Sequence, residues 1–357
     1  MSVRVLVVDD SGLYRQLVKN VLRGVSDVEV VGVACSGSEA LEKIAELKPD
    51  LLTLDVQMPD MNGLELLHAI KKHRLKVKAI MLSSLTAEGA QTTTDALLAG
   101  AFDFIQKPNS PNATTNRMQL ETLLAEKISA FRESCDVALP RRSSASAPTV
   151  AVTPEKPVHQ TTQARRIDAV LIGTSTGGPI ALREILPKLP SSLGVPVLVV
   201  QHMPPRYTGT LAARIHEVSE LPVCEATTGM PVEPNRIYIA PGGLQMGIES
   251  RDGRTVIRTS DDPPEHNIRP SVDYLFRSAT RVYSGNLLAV ILTGMGRDGT
   301  EGCRMIKGLG GYVLAQHPEG CIVYGMPKTI VEENLADRVV PLEKMASWIV
   351  RMVEGKR

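Results

Sequence analysis

Residues 51–71 read LLTLDVQMPDMNGLELLHAIK. The opening LLTL is apolar almost throughout, with none of the alternation of a half-exposed strand, and residues 64–71 then return apolar side chains at helical spacing. A strand buried on both faces that feeds a helix is the unit of a parallel sheet. Four more such units surround it: 3–8 with 11–23, 28–34 with 38–47, 77–82 with 87–98, and 102–106 with 120–131. Five βα units in succession give a doubly wound α/β domain. The second half repeats the logic, with candidate parallel strands at 169–172, 195–200, 287–292 and 312–315. Within 236–259 the runs 237–240, 246–249 and 255–258 are punctuated by Pro-Gly-Gly and Asp-Gly, which predicts antiparallel hairpins. The fold expected is α/β in both halves, with an antiparallel hairpin edge in the second.

The chain has 357 residues, enough for about two domains at roughly 150 residues each. Between them, residues 138–166 (ALPRRSSASAPTVAVTPEKPVHQTTQARR) hold four prolines and no aromatic residue, a linker composition. The expected organisation is a first domain at 1–137, a flexible linker at 138–166 and a second domain at 167–357. A coil of that length spans roughly 30 Å, which lets one domain dock on the other. The first domain carries 15 basic and 18 acidic residues and the second carries 20 of each, so neither attracts nucleic acid or anionic lipid by net charge. No apolar run approaches the ~18 residues of a membrane span and residues 1–10 lack a secretory pattern, so a cytoplasmic protein without membrane insertion is expected. The five cysteines are scattered and form no C-x-x-C pair, which argues against a disulfide framework or a zinc site.

Asp9 and Asp10 follow the first strand, Asp55 the third and Lys107 the fifth. Carboxyl ends of strands line the ligand crevice of an open parallel sheet. Crowded carboxylates call for a cation, and an all-oxygen set suits Mg²⁺. The chemistry implied is phosphoryl transfer to a carboxylate, with Asp55 as acceptor, Asp9 and Asp10 (with Asp55) holding Mg²⁺, and Lys107 balancing the charge. Proline after Lys107 is compatible with a cis bond there. Asp9-Asp10 alone would read as a helix cap, but Asp55 and Lys107 at matching strand ends are hard to assign to capping.

In the second domain, GTSTGGP at 173–179 connects a strand to an apolar-periodic segment, the strand-turn-helix setting that exposes a central serine above a helix N-terminus. A glycine-rich turn of this kind also cradles phosphates, so alone it divides evenly between esterase and nucleotide loop. Two other strand ends shift the balance: residues 196–200 run into Gln201-His202, and residues 287–294 run into Met295-Gly296-Arg297-Asp298. Ser175, His202 and Asp298 fit nucleophile, base and orienter, a set defined by geometry rather than chain order. Rival readings are an output domain that only binds nucleotide, weakened because Pro179-Ile180 stand where a P-loop has its lysine, and a DNA-binding regulator, for which no basic output module is present.

The first domain resembles a response-regulator receiver through VLVVDDS, LLTLDVQMPDMNGLELL, MLSSLTAEGA and GAFDFIQKP. That resemblance implies Ser83 as the hydroxyl that follows the phosphoryl group, with Ser84 the alternative, and Phe104 as an aromatic switch. The second resembles the chemotaxis protein-glutamate methylesterases through IGTSTGGP, VVQHMPP, IYIAPGG, RPSVDYLF, VILTGMGRDG and YGMPK, in the family's order. It implies a Ser175–His202–Asp298 triad, an oxyanion hole with the Met295 N–H, and no cofactor for the esterase. The substrates it implies are glutamate γ-methyl esters, and glutamines to be deamidated, on chemoreceptors, with a chemotaxis histidine kinase as phosphodonor. The sequence departs from the family's pattern at Gln245, around His266 and at Pro318, in loops expected to touch substrate or receiver.

Overall fold

The computed structural model describes residues 2–84, 86–138 and 166–356. The expected linker therefore lies outside the described residues except at its two ends. The first domain contains β1 (Val3–Val8), α1 (Gly12–Leu22), β2 (Val28–Ala34), α2 (Gly37–Leu47), β3 (Leu51–Asp55), α3 (Gly63–Lys72), β4 (Lys78–Ser83), α4 (Ala87–Ala99), β5 (Asp103–Gln106) and α5 (Ala113–Ala138). Its sheet runs β2-β1-β3-β4-β5, parallel throughout. β3 is buried at every position, as an unalternating apolar run requires. Side chains start the helices: Ser11, Ser36 and Thr86 each cap one, and Asn62 forms a capping box with Glu65.

The second domain contains β6 (Ala169–Thr174), α6 (Gly178–Ile185), β7 (Val197–Gln201), α7 (Tyr207–His216), β8 (Val223–Glu225), β9 (Ile237–Ile239), β10 (Gln245–Arg251), β11 (Arg254–Ser260), α8 (Val272–Tyr283), β12 (Leu287–Ile291), α9 (Thr300–Gly308), β13 (Tyr312–Gln316), α10 (Met326–Glu332), β14 (Arg338–Val340) and α11 (Leu342–Val353). Seven strands form one parallel sheet in the order β14-β13-β12-β6-β7-β9-β8. From β6 the chain builds first toward β7 and later toward β12, so β6 sits at the switch point where such sheets bind ligands.

One sequence expectation is corrected. Residues 237–240 do not join a hairpin, because β9 lies parallel between β7 and β8, buried on both faces. The other two runs do form a hairpin, β10–β11, turned by Asp252 and Gly253 at φ 51° and 74°, the backbone of a type I′ turn. It stands as a separate two-stranded sheet rather than as an edge of the main one, and Met246, Ile248 and Ile257 bury against Leu275 and Phe276 of α8. Phe276 packs under Gly302 of α9, where a Cβ would stand 3.0 Å from Phe276 Cδ2. Any side chain at 302 would push α8 and α9 apart, and truncating Phe276 would cost about 3–5 kcal/mol.

Candidate active site

Neighbouring strands β12, β6 and β7 bring three distant segments to one rim. The ends are cross-bonded: Ser175 N and Thr174 Oγ1 donate to Thr293 O at 3.1 and 2.9 Å, Thr293 Oγ1 donates to Thr176 O at 2.9 Å, and His202 N donates to Thr174 O at 3.1 Å. Gln201 Nε2 donates to Ser175 O at 2.9 Å. Gly177, at φ 81°, makes the left-handed step into α6, and a side chain at Gly178 would overlap Gln201 Oε1. Serine is thereby lifted on a sharp turn above a helix start.

His202 Nε2 lies 2.8 Å from Asp298 Oδ2, with side-chain exposures of 10% and 1%. Asp298 also accepts from Ser271 Oγ at 2.9 Å and from the N–H groups of Val272 (2.7 Å) and Asp273 (3.0 Å), so it sits on the N-terminus of α8. Burial pushes the Asp298 carboxyl up, but the His202 ring and those N–H groups outweigh it and hold the group at about 2. An ionised carboxylate at Nε2 leaves Nδ1 to serve the serine, the reverse of the ring orientation in the chymotrypsin template. Ser175 and His202 line one cavity; among the described residues Ser175 Oγ makes no hydrogen bond. Such looseness is usual before substrate binds. Among the described residues, the N–H groups of Thr176 and Met295 also donate to no protein acceptor. Gly294, next to Met295, approaches so closely that a Cβ there would stand 2.8 Å from Ser175 Cβ. Two free donors beside the serine meet the requirement of an oxyanion hole.

The first domain covers this rim. Thr176 Oγ1 donates to Asp103 Oδ2 at 2.5 Å, and Lys127 Nζ pairs with the same oxygen at 3.0 Å. Tyr207 OH donates to Ser83 Oγ at 3.1 Å and its ring lies 4.5 Å from that of Phe104. Arg214 grips Asp95 through two nitrogens, at 2.8 and 2.9 Å. Between the domains, Leu97, Phe102 and Phe104 face Ser175 and His202 across a cavity of about 10 Å³. That holds about one water and no ester side chain. Asp103 and Tyr207 carried no signal in the sequence, because their partners Thr176 and Ser83 lie in the other domain.

In the acidic site, carboxylate oxygens of Asp9, Asp10 and Asp55 lie within 4.8 Å of one another. Lys107 Nζ reaches Asp9 Oδ2 at 2.9 Å and Asp55 Oδ2 at 2.8 Å. Burial pushes Asp55 up to about 6, Lys107 pulls the other way, and Asp9 adds to the rise. A crowded, all-oxygen set, with Asp9 and Asp55 buried and Asp10 open to solvent, fits Mg²⁺. Among the described residues the cis peptide is Arg269–Pro270, so the Lys107–Pro108 bond, for which the sequence allowed a cis form, is trans. Lys107 is placed instead by its N–H, 2.7 Å from Ser83 O. Ser83 is buried and takes hydrogen bonds from Thr93 and Tyr207, whereas Ser84 turns toward Gln57.

The departures in sequence are not all rim contacts. Gln245 is fully buried and its Oε1 accepts from Ser271 N at 2.9 Å, so it braces the cap that holds Asp298 rather than touching substrate or receiver. His266 is exposed, with Nε2 3.9 Å from Asp273 Oδ2, and Pro318 O accepts Cys321 N in a turn.

The CheB methylesterase family model matches residues 170–349, and the response regulator receiver domain model matches residues 5–119. The chain belongs to the CheB methylesterase family. A Desulfotalea psychrophila protein named protein-glutamate methylesterase/protein-glutamine glutaminase is 43% identical over 99% of both chains, and a Thermotoga maritima protein of the same name is 42% identical over 98% of both. The crystal structure of the Thermotoga maritima CheB methylesterase catalytic domain matches 52% of this chain and 99% of its own, with 43% identity and a TM-score of 0.52. No helix among the described residues is long and apolar enough to cross a membrane.

Proposed function

We propose that this chain is a cytoplasmic, phosphorylation-regulated serine esterase that hydrolyses glutamate γ-methyl esters on chemoreceptors and deamidates glutamines at such sites. The observation that carries the reading is His202, paired with Asp298 at 2.8 Å, sharing a cavity wall with Ser175. Residues 167–357 are the esterase and residues 1–137 the receiver. Ser175 Oγ attacks the ester carbonyl as its proton passes to His202 Nδ1, and the imidazolium is steadied by Asp298. The N–H groups of Met295 and Thr176 hold the oxyanion. Collapse breaks the C–O bond to the methoxy group, which leaves as methanol with the proton from His202. Water then attacks the acyl-enzyme, gives its proton to His202, and glutamate is released as Ser175 recovers its hydrogen. An amide follows the same path with ammonia as leaving group.

Asp55 accepts a phosphoryl group from a chemotaxis histidine kinase. Asp9, Asp10 and Asp55 would hold Mg²⁺, which when bound neutralises charge around the transferred group. Ser83 then turns toward the phosphoryl group and away from Tyr207, Phe104 follows, and the receiver lifts from the rim. Support for closure comes from the size of the cavity over Ser175, about 10 Å³.

Methanol release from methylated receptors tests the reading. Wild type should release it, while Ser175→Ala and His202→Ala should not; activity that survives both substitutions rejects the triad. Asp55→Asn should retain basal release and lose all stimulation by a small phosphodonor, and stimulation that persists rejects the regulatory route.

A further inference from the structure

Directly beneath the triad, two carboxylates exchange helices. Asp298 precedes α9 but accepts from Val272 and Asp273 at the N-terminus of α8. Asp273 belongs to the first turn of α8, and its Oδ1 accepts from Gly302 N, in the first turn of α9, at 2.7 Å. We propose that Asp273 is a positioning residue of the triad: by tying the start of α9 to the start of α8, it fixes where Asp298 presents its carboxylate to His202. The proposal rests on the esterase reading above.

Three observations support it. Asp273 is 2% exposed, and among the described residues its Oδ2 is buried without a hydrogen bond, so a polar side chain is kept here at a desolvation cost. Gly302 allows the close crossing that brings the two helix starts within reach, since a side chain there would overlap Phe276. Asp298 connects to α9 through Gly299, at φ 95°, a turn with no side chain of its own to stiffen it. Gly302 N is an early donor of α9 that would otherwise be unsatisfied. What the link supplies is an acceptor rather than a charge. Burial, together with the nearby Asp298, pushes the Asp273 carboxyl up to about 6 against the pull of the Gly302 and Gly299 N–H groups and of His266. The Gly302 N–H meets a single oxygen, and an amide oxygen at the same place offers the same acceptor.

The test uses the full chain stimulated by a small phosphodonor, with methanol release from methylated receptors as the assay. Asp273→Ala should lower kcat by ~10- to 100-fold with KM within about twofold, the scale expected when a catalytic group is displaced by a fraction of an ångström. Asp273→Asn should return kcat to within about threefold of wild type. The downfield proton resonance of His202 Nε2–H against Asp298 should shift or vanish in Asp273→Ala and reappear in Asp273→Asn. Undiminished kcat in Asp273→Ala, a loss confined to KM, an unmoved resonance, or an Asn variant as poor as Ala would each overturn the proposal. Should circular dichroism find Asp273→Ala unfolded, Asp273→Glu takes its place. Its extra methylene displaces the acceptor from Gly302, so kcat should fall about tenfold at constant KM, and wild-type kcat would overturn the proposal. A wild type that releases no methanol fails the esterase reading itself, a result distinct from any of these.

Discussion

Asp55 and Asp298 are both buried acids at the carboxyl-end rim of a parallel sheet, yet their carboxyls shift in opposite directions. Asp55 has Lys107 on one side and Asp9 and Asp10 on the other, and its carboxyl is pushed up to about 6. Asp298 faces a ring, a hydroxyl and two N–H groups of α8, and is held at about 2. Desolvation raises both, so the number of donors aimed at each carboxylate decides the sign. One carboxyl is left able to take up a proton near pH 6. The other keeps a permanent charge, which is what orienting an imidazole requires.

The same substitution in the two places breaks this comparison if it is wrong. Asp298→Asn should lower kcat by ~10⁴-fold, because an amide favours the wrong tautomer of His202. Asp55→Asn should change unstimulated methanol release by less than about twofold. Comparable losses in both variants would mean that the acidic site belongs to the esterase chemistry.

The pH dependence of stability separates them further. Asp298, depressed from 3.8 to about 2, contributes stability that is present above about pH 4 and lost as the pH falls toward 2. Asp55, raised from 3.8 to about 6, binds its proton more tightly when folded, so stability declines as the pH rises from about 4 to about 6. Without divalent cation, Asp55→Asn should therefore stabilise the first domain at pH 7.5, by up to about 3 kcal/mol, and have little effect at pH 4. Asp298→Asn should destabilise the second domain by a similar amount at pH 7.5. Calorimetric scans at the two pH values check both signs, and a destabilised Asp55→Asn at pH 7.5 would refute the crowding argument.

Both sites were legible in the sequence because their residues come at the ends of long apolar runs: Asp55 closes LLTLD, His202 follows VLVVQ, and Lys107 follows FIQ. A buried run announces a strand, and its end announces the rim. β9 was misread because a three-residue strand between glycines and prolines has the local composition of a hairpin, and only its neighbours β7 and β8 make it parallel. Gln245 opens a hairpin strand and so looks solvent-facing, but α8 and the loop before it bury it. Asp103, Asp273 and Tyr207 take their roles from the meeting of two helices or two domains, and no local pattern encodes that.

The smallest effect expected sharpens the comparison at the boundary between the two regions. Arg214 on α7 and Asp95 on α4 form a two-pronged pair across the domain interface, with side-chain exposures of 35% and 32%. A pair so wet contributes about 0.5–1 kcal/mol, and it exists only while the receiver sits on the rim. Arg214→Ala should consequently raise unstimulated methanol release by ~2- to 5-fold and leave the fully stimulated rate unchanged, because the open arrangement never used the pair. Salt should mimic the substitution: at 0.5 M NaCl wild type should approach the variant, and the variant should respond little. A fall in unstimulated release on Arg214→Ala would indicate that the contact supports the active arrangement, and that the receiver in this position activates rather than covers Ser175.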